Sequence, residues 1–204
     1  MKLTEAHRRL LQLRSAFFTT NEAAAVLRVE GAHATKILSR LAETEHVVRL
    51  IRGRWAFPER VDPMALPEAL TAPTPAYVSL FSALYHHSMI EQIPTTIYAM
   101  TLAPTRRVRT PLAAVSLHQV VPSFFFGFET TREGTKIATP EKALLDVLYL
   151  YPARSRKFRA LPELHLPSTF SRSRAREMVK TIESPQRRAL VKERLEEAVG
   201  RAGR

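Results

Sequence analysis

The sequence predicts an α+β chain: a small helical unit closed by a β-hairpin, a mixed α/β middle, and a basic helical extension. Three observations predict it. Residues 20–57, TNEAAAVLRVEGAHATKILSRLAETEHVVRLIRGRWAF, hold two short helical patterns and then two strand-like runs around Arg52-Gly53. Pro58, Pro63, Pro67, Pro73 and Pro75 then interrupt any long ladder or helix. Runs of β-branched and aromatic residues fill 95–138, and strong helix-start signals return at Thr139, Ser171 and Ser184. These shifts place a first domain at 1–60, a Pro-rich linker at 61–75, a second domain at 76–165 and basic helices at 166–204.

Composition narrows the function. The chain has 204 residues, 45% of them hydrophobic, as in ordinary globular proteins. No apolar run is long enough to span a bilayer, so no membrane partner is expected. Met1 to Arg14 is charged and carries no secretory pattern. The absence of Cys excludes disulfides, thiolate metal sites and a Cys nucleophile, and fits a cytoplasmic location. Net charge is +12, concentrated at both ends: residues 1–57 and 151–204 are basic and the middle is close to neutral. That distribution points to a polyanion, of which nucleic acid is the commonest.

In order along the chain, Leu3 to Arg14 predicts a helix. Thr4 would cap it, and Leu3, Ala6, Leu10 and Leu13, widened by Leu11, would pack on Val26, Ile37 and Leu41. Phe17 and Phe18 would plug the next corner. Asn21–Leu27 predicts a second helix capped by Thr20, and Arg28–Gly31 a turn. Ala32–Glu43 predicts a third helix. Ala34, Ile37, Leu38 and Leu41 fall on one face, and His33, Thr35, Lys36, Ser39 and Arg40 on the other. Val47–Ile51 and Arg54–Phe57 form the hairpin. Helix, turn, helix and hairpin make a winged helix-turn-helix. Its polar helix face suits a DNA major groove, and Arg49, Arg52 and Arg54 on the wing suit phosphates.

After a short helical piece near Met64–Leu70, residues 76–89 predict a helix with Val78, Phe81, Leu84 and Tyr85 on its apolar face. His86 and His87 would end it, where a protonated imidazole suits the dipole. Adjacent His point apart on a helix, which argues against a metal. Strands are predicted at Thr95–Thr101, Arg106–Thr110, Ala113–Val121, Phe124–Thr130 and Thr135–Ala138. Phe124–Phe126 read as core rather than a base-stacking platform, because no Lys or Arg lies between Leu117 and Thr131. Thr139 caps a helix opened by Pro140, with Glu141 near its positive end and Lys142 four residues before Asp146. Arg154, Arg156, Lys157 and Arg159 form a basic loop cluster able to contact phosphates. Ser171 caps a helix to Ile182, and Ser184-Pro185 opens another to Val199, stopped by Gly200. Their Arg and Lys residues would bind phosphates or cover the sheet.

No catalytic constellation emerges, and no cofactor is implied. The middle acids Glu91, Glu129, Glu133, Glu141 and Asp146 include no Asp-x-Asp pair. Gly-rich and Walker phosphate loops are absent, and His118 has no Ser or carboxylate context. The chain therefore reads as a binding protein rather than an enzyme.

The order of these pieces resembles the AbiEi-type antitoxins of abortive-infection (type IV) toxin–antitoxin systems. The likeness rests on FTTNEAAAVLRVEGAHATKILSRLAETEHVVRLIRGRWAFP, on PAYVSLFSALYHHSMIEQIP with the following TTIYAMT, and most specifically on IATPEKALLDVLYL. It spans roughly residues 3–150 on these motifs. The resemblance implies a winged helix joined to an antitoxin domain. It also implies repression of the chain's own operon at inverted repeats in double-stranded operator DNA, and a nucleotidyltransferase-like toxin as partner. Two alternatives stand beside it: a winged helix serving as a protein-interaction module, and a solitary DNA-binding regulator without a toxin.

Overall fold

A computed structural model describes residues 2–150 and 162–202. The N-terminal unit runs α1 (Leu3–Leu10), β1 (Phe17–Thr19), α2 (Thr20–Leu27), α3 (Gly31–Glu43), β2 (Val48–Ile51) and β3 (Arg54–Ala56). Its strands form an antiparallel sheet of order β1-β3-β2. The expected hairpin is present, with Gly53 at φ +78° in its two-residue turn. Phe17 and Phe18 belong to a third strand instead of plugging a corner, because Phe18 pairs with Trp55 and Phe17 with Ala56.

Helix ends differ from the sequence reading in ways that local chemistry explains. Helix α1 stops at Leu10, and Lys2 rather than Thr4 stands at its N-cap. Helix α2 is capped by Thr19, not Thr20. The Thr19 hydroxyl accepts from the Glu22 N–H at 3.2 Å and the Glu22 carboxylate accepts from the Thr19 N–H at 2.6 Å, a reciprocal box. Thr20 instead accepts the indole N–H of Trp55 at 3.0 Å. In the core under these helices, Leu27 takes the place expected of Val26.

Period-two alternation gives the first sheet two buried faces. Phe18, Trp55, Val47 and Phe57 face α1–α3. Phe17, Val48, Leu50 and Ala56 face a second sheet, meeting Ala99, Val115 and Leu117 there. Val48 and Leu50, two residues apart, share that inner side, and a bulge between Arg49 and Ile51 pairs Ile51 with Arg54 so that Ile51 joins the same cluster. The 61–75 stretch is therefore not a free linker. It carries α4 (Leu66–Thr71), and Leu66, Pro67, Leu70 and Thr71 are buried at this seam.

The second sheet has the order β6-β7-β5-β4-β9-β8. Its strands are β4 (Ala76–Val78), β5 (Ile97–Thr101), β6 (Arg106–Arg109), β7 (Ala114–Gln119), β8 (Phe128–Thr130) and β9 (Lys136–Ala138). The helix predicted over 76–89 begins with β4, a fully buried central strand, and only then becomes α5 (Leu80–His86). Tyr77 and Val78 favour a strand, and β4 is flanked by antiparallel β5 and parallel β9. Phe124–Phe126 likewise lie before β8, in a 3-10 turn and loop.

Helix α6 (Pro140–Leu150) packs across this sheet. Helices α7 (Arg172–Lys180) and α8 (Pro185–Arg201) pack on α6 in turn. Ser171 and Ser184 cap them through the N–H groups of Arg174 and Arg187. Gly200 does not stop α8, which continues to Arg201. Ala175, Val179, Val191, Leu195 and Val199 join the core around Leu144 and Leu148, so these basic helices cover α6 rather than standing apart.

Candidate functional site

The solvent face of α3 holds every residue that the spacing assigned to it. Ala34, Ile37, Leu38 and Leu41 are buried, and His33, Thr35, Lys36, Ser39 and Arg40 are exposed. A buried apolar stripe pins the helix in azimuth, and that alone sets which side chains reach outward. The Thr35 hydroxyl donates back to the Gly31 carbonyl at 2.9 Å. Gly31 and Ala32 begin the helix with almost no side-chain bulk, so its first turn is sterically open.

The hairpin arginines separate. Arg52 stands exposed in the turn. Arg49 is exposed on the helix side of the sheet, its guanidinium 5.8 Å from the Trp55 ring centroid. Arg54 is a correction. It shares a sheet face with Ala56, toward the second sheet, and its guanidinium donates to the Ala72 carbonyl. A side chain anchored there is not available to a phosphate. The hairpin is also held close to the body, because the Gly53 carbonyl accepts the Thr20 N–H at 3.0 Å. Arg154, Arg156, Lys157 and Arg159 lie outside the described residues.

The sequence reading did not anticipate the burial of charge in α6. Lys142 and Asp146 pair four residues apart as expected, but both are 0% exposed. Asp146 Oδ1 accepts from Lys142 Nζ, and its Oδ2 accepts from the Ser79 hydroxyl at 2.6 Å and the Tyr77 hydroxyl at 3.0 Å. The ammonium lies 3.6 Å from the Phe124 ring centroid and 4.9 Å from that of Phe126. Gly127, at φ +76°, lets the loop close over it: a Cβ there would sit 3.0 Å from Lys142 Cγ. Burial pulls the Lys142 ammonium below its ordinary range and pushes the Asp146 carboxyl up, each opposed by the partner's charge. With no exposed surface, the pair is an internal brace between α6, β4 and the Phe loop. Glu141 is also buried, its Oε1 accepting the Ser171 N–H at 2.8 Å and so tying α6 to the start of α7.

The histidines are not arranged as a metal site. Among the described residues, no three His, Cys, Asp or Glu converge to hold an ion. His87 Nε2 lies 2.7 Å from the Ala138 carbonyl. Partial desolvation and the neighbouring His87 lower the pKa of the exposed His86, with Asp62 opposing them. Burial, with Arg107 nearby, lowers His118 to about 4. No described helix is long and apolar enough to cross a membrane. Among known proteins, no family model and no curated sequence matches the chain.

Proposed function

We propose that the chain is a cytoplasmic, non-enzymatic DNA-binding repressor whose first domain is a winged helix-turn-helix, with α3 as the reading helix. The exposed row His33, Thr35, Lys36, Ser39 and Arg40, set against a fully buried opposite stripe, carries this reading. Polar and basic side chains on one face of a rigid helix are what a major groove accepts. Arg52, and Arg49 beside it, supply the phosphate contacts of a short wing. Arg54 takes no part.

Residues 76–165 form the antitoxin domain in this reading, with a nucleotidyltransferase-like toxin as its partner. Support comes from the likeness of the ATPEKALLD segment and the motifs before it to the AbiEi-type antitoxins. The buried Lys142–Asp146 pair gives that segment a structural reason for its residue types.

The test is an anisotropy titration with duplex DNA from upstream of the chain's own gene against a scrambled duplex, at several salt concentrations. The repressor reading requires preference for the upstream DNA at physiological salt. Equal, steeply salt-dependent binding to both would reduce the chain to a non-specific basic protein. Absence of binding to either would favour a winged helix used as a protein dock.

A further inference from the structure

The seam between the two sheets is not filled throughout. A cleft of about 420 Å³ opens between β1, the β2–β3 hairpin, α4 and the β8–β9 turn, within the size range of small-molecule sites. Phe17, Leu50 and Ala69 give it an apolar lining. Its charged groups are Glu22, Glu68, Glu133 and Arg54, and Thr19 and Thr135 add hydroxyls.

The charges in this cleft are unequal. The head of Arg54 is bound to the Ala72 carbonyl. Lys136 meets Glu68 through one carboxylate oxygen only. Glu22 uses Oε2 to close the α2 cap. Among the described residues, Glu133 makes no side-chain hydrogen bond or ion pair. The lining thus carries a net negative charge in a chain whose total is +12. Distant positive charge is screened beyond about 8–10 Å at physiological salt, so the local carboxylates dominate what the cleft attracts.

We propose that this cleft is a binding site for a small organic cation with an apolar body. The apolar part packs on Phe17, Leu50 and Ala69, and the charge lies toward Glu68 and Glu133. The two walls belong to different parts of the chain: Thr19 and Arg54 to the N-terminal unit, α4 and the β8–β9 turn to the rest. An occupant therefore bridges the N-terminal unit to the second sheet. Binding requires no DNA, so its failure would leave the repressor reading untouched.

Isothermal titration of the full chain with tetraphenylphosphonium tests this, with tetraphenylborate as a probe of the same shape and opposite charge. The site requires saturable one-to-one binding of the phosphonium, at least fivefold weaker binding in both Glu133→Gln and Glu68→Gln, and loss of binding in Ala69→Leu, which fills the cleft. Glu133 is exposed in a turn, so its variant does not threaten the fold. No saturable heat, equal affinity for the borate, or unchanged affinity in Glu133→Gln would each overturn the proposal.

Discussion

At the scale of single residues, the buried Lys142–Asp146 pair has the largest consequence. Removing one member leaves an uncompensated charge in a dry site, which costs about 3–5 kcal/mol. Lys142→Met and Asp146→Asn are each expected to lower stability by that order in urea unfolding, while Lys142→Met with Asp146→Leu recovers much of the loss. A double variant that loses the sum of the two single losses would show that the pair is not coupled. Gly127→Ala meets both a positive φ and the Lys142 chain, and is expected to cost about 1–3 kcal/mol in the same measurement. His118 sets a pH dependence. Its folded value of about 4 lies below the ordinary 6.5, so as pH falls the unfolded chain takes the proton first. Stability from the neutral ring is complete above about pH 6.5 and is lost as pH drops toward 4. The slope of melting temperature between pH 7 and pH 5 should be shallower in His118→Asn than in the parent chain.

At the scale of elements, α3 and the hairpin show what spacing can and cannot convey. Helical period alone separated Ala34, Ile37, Leu38 and Leu41 from the outward row, because one buried stripe suffices to orient a helix. A strand has two faces, and here both are buried. Arg49 and Arg54 fall on opposite faces, since Arg49 pairs with Trp55 and Arg54 is its neighbour in sequence. That parity was readable from the alternation around Trp55. What lay beyond Arg54 was not, because nothing local says that a second sheet covers that side. The prediction follows element by element. Lys36→Ala, Arg40→Ala and Arg52→Ala should each lower the slope of log affinity against log salt by about one unit. Arg54→Ala should leave the slope unchanged. A slope change for Arg54 equal to that for Arg52 would place it on DNA after all. At the start of α2, Thr19→Ala should cost about 1 kcal/mol through loss of the capping box, with Thr19→Ser largely restoring it.

At the scale of the whole molecule, three clusters of buried residues link the layers. One lies under α1–α3, one joins Leu50 and Ala56 to Leu66, Leu70, Ala99 and Leu117, and one gathers α5 to α8 on the second sheet. The middle cluster makes the N-terminal sheet a shared wall. Unfolding followed by fluorescence of Trp55, the only tryptophan, should coincide with unfolding followed by far-UV circular dichroism. Two separated transitions would mean that the seam is a weak contact. Residues 1–60 expressed alone should aggregate, since Phe17, Val48, Leu50, Ile51 and Ala56 would lose their cover.

Features that depend on near neighbours were legible in the residues alone: the helical periods of α3 and α6, the Arg52-Gly53 turn, the Ser171 and Ser184 caps, and the basic charge at both ends. These are set by backbone preference and by hydrogen bonds that close within four residues. Contacts remote in the chain decide that residues 76–78 are a strand, that Leu66, Pro67, Leu70 and Thr71 of the 61–75 stretch are buried, that Arg54 turns inward, and that Lys142 and Asp146 are shut away from water. In each case the deciding partner is remote in the chain: β5 and β9 for β4, the second sheet for α4, Ala72 for Arg54, and Tyr77, Ser79 and the Phe124 ring for the α6 pair. A helix-forming pattern or a surface charge pair loses to such partners once burying them together gains more than local propensity, worth well under 1 kcal/mol per residue, can resist.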